Sequence, residues 1–264
     1  MSDSTVKGDE SVVRVAQSES IELLGVRINC ETYQSLAATV LSWVEQGQKS
    51  YCCFTNPHSI IMCQSDEEFK AATNNADLVL PDGVGVVYAS KILRLPLTER
   101  VTGPTSMLKV IESGLDKELR HYFYGSSEET LNSLQHNLRE KFPSVQIAGA
   151  HSPPYRELEP AEIDERINAI NDSGANVLWI GLGAPRQEKW VQEHFGRVNA
   201  PVAMAVGAAF DYHAGTVDWA PNFVRKMGLE WAYRLVQQPK RLFRRNLNSF
   251  VFLWKVLKSK RKKN

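Results

Sequence analysis

The sequence predicts an α/β protein: a Rossmann-like, mostly parallel sheet with helices on both faces, followed by a basic C-terminal helical appendage. Short apolar runs of strand length recur through residues 21–220, and stretches with apolar residues three and four apart separate them. This alternation is typical of parallel sheets, in which a helix connects successive strands. The composition changes after Pro221, which indicates the appendage. The chain therefore divides into a flexible segment at 1–20, an α/β domain at 21–220 and the appendage at 221–264.

The order of the predicted elements follows from these patterns. Apolar runs predict strands at 21–28, 51–54, 78–80, 121–124, 145–147, 177–180 and 202–206. Helical spacing predicts helices at 33–45, 67–74, 128–141, 162–171 and 187–195. A short helix is predicted at 228–238, ended by Pro239. In such sheets ligands bind beyond the carboxyl ends of the strands, which here are the loops 55–58, 81–85, 125–127, 181–185 and 207–211.

Composition excludes several classes of protein. With 43% hydrophobic and 23% charged residues in a chain of 264, disordered and collagen-like proteins are excluded. No apolar run reaches the roughly 18 to 20 residues of a membrane-spanning helix. The first thirty residues lack the order of a secretory signal, so we expect a cytoplasmic protein. The four cysteines form no CxxC pair, which favours reduced core cysteines over a disulfide frame or a zinc site.

The net charge of +1 conceals an asymmetry. Residues 221–264 contain thirteen Lys or Arg and a single acid, Glu230, a formal +12 that leaves −11 for residues 1–220. This indicates an anionic partner, and membrane is favoured over nucleic acid because no helix-turn-helix, RNP or zinc pattern is present. Apolar residues at 243, 247, 250, 254 and 257 form one stripe on a basic helix. The stripe fits a helix at a membrane interface or, alternatively, a terminal helix packed on the core.

Asp82 lies in Pro81-Asp82-Gly83-Val84-Gly85, directly after a predicted strand. A carboxylate at this edge of the sheet could act as a general base, or it could stabilise a turn by bonding its own backbone. The two glycines lack the third glycine of a dinucleotide fingerprint, so they are weak support for NAD binding.

Two further loops are candidate ligand sites. In 181–190, Gly183 and Pro185 precede a predicted helix whose N-terminus could bind an anion, with Arg186 or Gln187 as donors. An ordinary strand–turn–helix junction explains the same pattern. In 207–211, Asp211 could accept bonds from ribose hydroxyls or cap a helix. In the appendage, Arg234, Arg241 and Arg244 are spaced to share a helix face and bind diphosphate.

Five ordered segments together resemble the WecG/TagA/CpsF family of bacterial glycosyltransferases (family 26), over roughly residues 21–247. They are Thr55-Asn56-Pro57, the segment 76–83 that contains Asp82, Glu99-Arg100-Val101-Thr102-Gly103, the segment 183–190 and the segment 228–235. Five motifs in this order make chance agreement very improbable.

The resemblance implies an inverting transfer of a sugar from a UDP-sugar to a polyprenyl-diphosphate-linked saccharide, at the cytoplasmic face of the plasma membrane. It implies no metal and no other cofactor. Asp82 would be the general base, and Gln187 would hold the reacting groups. Substrate binding would involve Thr55, Asn56, Gly83, Gly103, Gly183, Pro185, Arg186, Asp211, Arg234, Arg241 and Arg244. Because this chain reads Thr-Asn-Pro where relatives often read Thr-x-Asn, the sugar contact falls on either Thr55 or Asn56.

Two other functions fit parts of the sequence. A nucleotide-dependent oxidoreductase could use the same fold, and nicotinamide binding would identify it. A non-enzymatic module that binds an anionic surface could use the appendage, and it would bind no UDP. The family resemblance leaves the donor open among N-acetylmannosamine, its uronic acid and glucose, and it allows a homo-oligomer.

Overall fold

A computed structural model describes residues 19–97, 99–221, 223–224, 227, 229–237 and 239–263, with the backbone alone at 234, 240–245 and 260–263. The predicted lead-in at 1–20 lies almost entirely outside the described residues. The strands are β1 (Ser20–Leu23), β2 (Val26–Asn29), β3 (Ser50–Thr55), β4 (Leu78–Pro81), β5 (Arg120–Gly125), β6 (Gln146–His151), β7 (Val177–Gly181) and β8 (Val202–Ala205).

The described helices surround these strands. They are α1 (Tyr33–Glu45), α2 (Pro57–Met62), α3 (Glu67–Asn74), α4 (Val84–Leu93), α5 (Gly103–Gly114), α6 (Glu128–Lys141), α7 (Pro160–Asp172), α8 (Arg186–His194), α9 (Ala209–Ala214), α10 (Glu230–Gln237) and α11 (Pro239–Lys263). Helix α6 begins at the cap Ser127, whose side chain accepts from the Thr130 amide, and acids occupy its first turn while bases occupy its last.

Strands β3 to β8 form one six-stranded sheet in the order β4-β3-β8-β7-β5-β6. Every neighbouring pair in it is parallel, which confirms the predicted fold class. The chain leaves β3 towards β4 on one side, whereas β8 is reached from β7 on the other side. The boundary between β3 and β8 is therefore the point where the strand order reverses, and loops that leave it in opposite directions open a crevice there.

Both faces of the sheet are covered because its strands are apolar on both sides. Along β7, Val177 and Trp179 join a cluster with α1, α5, α6 and α9. The alternate residues Leu178 and Ile180 join a second cluster with α7 and α8 on the opposite face. This period of two, with four buried residues in succession, is the pattern of a strand inside a parallel sheet.

Helix α11 packs its inner face on the α/β body and leaves a second apolar face exposed. Phe252 and Val256 are buried in the cluster that contains β1, β2, α2, α3 and α4. The predicted stripe lies on the other side of the helix: Leu247, Phe250, Trp254 and Leu257 are 48 to 64% exposed, and the side chain of Phe243 lies outside the described residues.

The structure corrects several predicted elements. The run at 21–28 is a hairpin of β1 and β2, because Leu24 and Gly25 adopt positive φ and turn the chain. The loops 55–58, 81–85 and 207–211 contain the starts of helices α2, α4 and α9. Residues 103–114, which carried no predicted element, form α5. Pro239 separates α10 from α11 and is the first residue of the latter, where proline is tolerated.

Candidate active site

Two cavities lie side by side at the carboxyl edge of the sheet. The first cavity, about 440 Å³, is lined by residues that follow four strands: Asn56 after β3, Asp82 after β4, Gly183 after β7 and Gly207 after β8. The second cavity, about 310 Å³, lies between the start of α4 and the helices α10 and α11. Four residues line both cavities: Asn56, Asp82, Arg100 and Glu230.

Asp82 is held at the boundary between the cavities by its own backbone. Its N–H donates to the Thr55 carbonyl at 2.7 Å, which continues the β3–β4 pairing by one residue. The preceding Pro81 carbonyl accepts from the Val101 amide at 3.0 Å. Asp82 is half-buried and lines both cavities. The carboxylate is thus on a fixed turn with access to two binding spaces.

Gly83 allows the turn after Asp82 to pack tightly. A Cβ at this position would lie 3.0 Å from Pro57 Cδ and 3.2 Å from Asn56 Cβ. The glycine caps α4 and lines the second cavity. Because a side chain would push α4 away from α2, Gly83 contributes to the site through close backbone approach.

The two candidates for the sugar contact, Thr55 and Asn56, lie in different surroundings. Asn56 caps α2 by accepting from the Ser59 amide at 3.2 Å, and it lines both cavities. Thr55 is buried at the end of β3, and neither cavity includes it in its lining. Its Oγ1 has no hydrogen-bond partner among the described residues. The geometry favours Asn56 as the contact, and the roles of both residues remain predictions.

Gln187 lines the first cavity, but its side-chain amide forms hydrogen bonds within the protein, to the loop after β7 and to the end of β8. Its Oε1 accepts from the Gly183 N–H at 3.0 Å, and its Nε2 donates to the Ala205 carbonyl and to Glu188 Oε1, both at 2.9 Å. These bonds fasten the loop after β7 to the end of β8. The Gly183 amide, which precedes the predicted anion-binding end of the helix, is therefore satisfied inside the protein. The catalytic role predicted for Gln187 is untested, and its bonds support a positioning role.

Burial perturbs the neighbouring acid. Glu188 is almost completely buried, and this raises its pKa from 4.5 to about 7, against the opposing hydrogen bond from Gln187. Its Oε2 has no hydrogen-bond partner among the described residues. The first turn of α8, next to the first cavity, therefore contains a buried acid with a pKa of about 7.

Besides Thr55, four predicted substrate contacts are absent from the linings of both cavities: Gly103, Pro185, Arg186 and Asp211. Pro185 occupies the cap position of α8 and does not line the first cavity, whereas its neighbour Ala184 does. The Arg186 guanidinium lies 4.7 Å from the centre of the exposed Tyr155 ring. Gly103 is buried at the start of α5, where a Cβ would lie 3.0 Å from the Val206 carbonyl oxygen.

Asp211 is the fourth of these residues. It lies in α9, and the Ser126 hydroxyl approaches its Oδ1 at 3.5 Å. Its neighbour Tyr212 lines the first cavity. The side chains of Arg234 in α10 and of Arg241 and Arg244 in α11 lie outside the described residues, so the diphosphate clamp remains a prediction.

Sequence reasoning missed two charged residues of the site. Arg100, in the loop between α4 and α5, lines both cavities, and its Nη2 lies 3.2 Å from Glu230 Oε2. Both signals were present in the sequence: Arg100 belongs to the matched segment 99–103, and Glu230 is the single acid of the appendage. His58 was also missed; it lines the first cavity, and its Nδ1 lies 2.8 Å from Asn248 Nδ2 in α11.

Within the described part of the chain, no three His, Cys, Asp or Glu side chains come together as metal ligands. All four cysteines are free, three of them buried. Of the helices described, none has the length and apolar character needed to cross a membrane.

Fold and site together define the class: a Rossmann-like α/β protein whose first cavity lies where the strand order reverses, the position at which such sheets bind ligands. The family follows from the sequence comparisons. A model of the Glycosyl transferase WecG/TagA/CpsF family matches residues 21–264. The chain belongs to this family of glycosyltransferases, which confirms the resemblance found in its motifs.

Relatives are similar along most of their length. One, from Bacillus spizizenii, is 30% identical over 220 residues, which cover 83% of each chain. Another, from Staphylococcus aureus strain MW2, is 26% identical over 250 residues, 94% of this chain and 96% of its own. Both are named N-acetylglucosaminyldiphosphoundecaprenol N-acetyl-beta-D-mannosaminyltransferase.

Proposed function

We propose that this protein is an inverting glycosyltransferase that moves a sugar from a UDP-sugar to a polyprenyl-diphosphate-linked acceptor in bacterial cell-surface polysaccharide synthesis. The observation that carries the proposal is the position of Asp82. In a chain of this family, Asp82 lines two cavities at once. A base that deprotonates one substrate so that it attacks another needs this shared position.

The names of the relatives support the class of acceptor. They specify a saccharide on a diphosphate-linked undecaprenol, and we propose an acceptor of the same chemical class here. The names also specify a β-linked N-acetylmannosaminyl product. An α-linked UDP donor would then have to be inverted at its anomeric carbon. For this chain the donor stays open among UDP-linked N-acetylmannosamine, its uronic acid and glucose.

We assign the donor to the first cavity and the acceptor sugar to the second. The first cavity is the larger one and lies over the point of strand reversal, beside the Gly207 loop and α9. The second cavity is bordered by α11 and by the side chains of Tyr88, Trp231 and Phe250. Aromatic rings present apolar faces to sugars and lipids, and α11 carries the exposed stripe. A lipid-linked acceptor could therefore reach Asp82 from the side of the appendage.

The reaction follows as a single displacement. Asp82 takes the proton of the acceptor hydroxyl as that oxygen forms a bond to the anomeric carbon of the donor. The bond from this carbon to the UDP oxygen breaks, and UDP leaves with the electron pair. We propose that Arg100, which lines both cavities, stabilises the charge that develops on the diphosphate. We propose that Arg234, Arg241 and Arg244 add to this positive charge.

Attachment to the membrane is proposed through α11. Its exposed residues Leu247, Phe250, Trp254 and Leu257 form a continuous apolar face next to basic residues, as in helices that lie in a membrane interface. Together with the body charge of −11 and the appendage charge of +12, this supports peripheral attachment at the cytoplasmic face. We accordingly propose residues 21–220 as the catalytic domain and 221–264 as a membrane-attached appendage. The proposal is compatible with a homo-oligomer.

The test is sugar transfer by the full chain from a panel of UDP-sugars to a polyprenyl-diphosphate-linked N-acetylglucosamine. Asp82→Asn, which keeps the shape of the side chain, should lower kcat by about 10²- to 10⁴-fold, because the amide cannot take the proton. Its circular dichroism and melting temperature should match those of the parent protein. A variant that retains full rate would refute the assignment of the base.

A matched control is Asp116→Asn, which changes a carboxylate to an amide in the short helix after α5. The same assay with a metal chelator tests the proposal that no metal is needed, since activity should then be unchanged. Nicotinamide binding without transfer would favour an oxidoreductase, and binding to anionic surfaces without UDP affinity would favour a non-enzymatic module.

A further inference from the structure

Glu230 joins the appendage to the α/β body with both oxygens of its carboxylate. Its Oε2 lies 3.2 Å from Arg100 Nη2, and its Oε1 accepts a hydrogen bond from the Tyr212 hydroxyl at 3.2 Å. Arg100 belongs to the loop between α4 and α5, and Tyr212 belongs to α9. One side chain of the appendage is therefore fixed by two separate elements of the body.

The environment makes this ion pair stronger than an ordinary surface pair. The side chains of Arg100 and Glu230 are 27% and 21% exposed, whereas those of the surface pair Lys109–Glu112 are 51% and 55% exposed. Partly buried charges are screened less by water and salt. Glu230 is also the first residue of α10, where the helix dipole favours a negative charge.

Glu230, which anchors α10 to the body, lies where the two cavities meet. Glu230 lines both of them together with Asp82, Asn56 and Arg100. The next residue, Trp231, lines the second cavity, and Arg234 follows one turn further along α10. Any displacement of Glu230 would therefore move the wall of the second cavity and the start of α10 relative to Asp82.

We propose that Glu230 is a positioning residue. By bonding Arg100 and Tyr212, it holds α10 in the position relative to Asp82 that sugar transfer requires. This inference rests on the proposed glycosyltransferase function. The attachment of α10 exists before any substrate binds. The inference can therefore be tested on the substrate-free protein, independently of the proposed function. A loss of the anchor should free α10 while the first cavity, built mostly by the body, keeps its affinity for the donor.

The experiment combines hydrogen exchange and kinetics on the full chain. Glu230→Gln keeps the size of the side chain and its bond to Tyr212 but removes the charge that Arg100 needs. Amide exchange in residues 230–237, followed by mass spectrometry, should become about tenfold faster, because charge-assisted bonds are about twice as strong as neutral ones. In transfer, kcat should fall about tenfold while KM for the UDP-sugar stays within about twofold.

Two further variants sharpen the result. Glu230→Asp, which keeps the charge on a shorter side chain, should recover part of both losses. Glu112→Gln removes an exposed ion pair on α5 and should change neither exchange in α10 nor kcat.

Unchanged exchange in α10 of Glu230→Gln would overturn the proposal, as would faster exchange with an unchanged kcat. A parent protein that transfers no sugar would refute the proposed function instead, and exchange alone would then decide whether Glu230 holds α10.

Discussion

The ionisation of Glu188 should control the stability of the protein near neutral pH. This acid is almost completely buried beside Gln187, which donates to its Oε1 at 2.9 Å. Burial is the main reason that its pKa rises from 4.5 to about 7. Its titratable neighbours are Cys53 and Cys63, and burial raises the pKa of both thiols, so they stay neutral in this range. Glu188 is thus the group in this environment that changes charge between pH 4.5 and 7.

The sign of the effect follows from linkage between folding and proton binding. Between pH 4.5 and about 7 the folded protein keeps a proton on Glu188 that the unfolded chain releases. The free energy of unfolding therefore falls as the pH rises through this window. A shift from 4.5 to about 7 corresponds to about 3 kcal/mol of lost stability once Glu188 is fully ionised. Below pH 4.5 the contribution vanishes, because both states are protonated.

Glu188→Gln isolates this contribution because an amide cannot ionise. Parent and variant are unfolded with urea at pH 5, 6, 7 and 8. As the pH rises over this range, the unfolding free energy of the parent should fall by about 2 to 3 kcal/mol relative to that of the variant. The exposed Glu129→Gln in α6 is the control, and its stability curve should run parallel to that of the parent. Parallel curves for Glu188→Gln and the parent would refute the reasoning, since the acid would then be equally ionised in both states.

Two other predictions concern backbone space and membrane attachment. Gly125→Ala should destabilise the protein by about 2 to 4 kcal/mol, because φ is +125° and the new Cβ would lie 2.6 Å from the Gly181 carbonyl carbon. Gly183→Ala, with φ of +78° and open space around it, should cost only about 1 kcal/mol in the same urea measurement, and equal losses would contradict this reasoning. Changing both Phe250 and Trp254 to Ser should weaken sedimentation with anionic lipid vesicles at least tenfold, because two large apolar side chains are lost from the interface. Their exposure predicts an unchanged melting temperature, and undiminished vesicle binding would exclude the stripe as the attachment surface.

Amphipathic helices at the protein surface were the elements most readily predicted from sequence. The bounds 33–45, 67–74 and 128–141 match α1, α3 and α6, since each has one buried and one exposed face and each is capped by a side chain. Helix α4 was missed for the opposite reason. It lies under α11, is apolar on most sides and begins in a glycine pair that was interpreted as a loop. Periodicity carries little information for a helix that is covered on several faces.

The site was predictable in so far as it depends on strand ends. Asp82 and Asn56 line the cavities because each directly follows a parallel strand, and the sequence marks both strand ends. Contacts between distant segments carry no such mark. The pair of Arg100 and Glu230 depends on how α10 is laid across the body, and the engagement of Gln187 depends on the distance from its loop to β8. Both are tertiary contacts, and neither the composition nor the spacing of residues in the sequence predicts them.

The charge asymmetry is subject to the same limit: it indicates an anionic partner, but it does not show which residues join the appendage to the body. An acidic body and a basic appendage would be expected to join through cations of the appendage and anions of the body. Among the described side chains, the ion pair between the two parts has the reverse polarity: the single acid of the appendage, Glu230, bonds the cation Arg100 of the body. This ion pair therefore uses none of the basic residues of the appendage. We propose, from the charge of +12 alone, that the basic residues of the appendage bind external anions, which a membrane surface and a lipid diphosphate both supply.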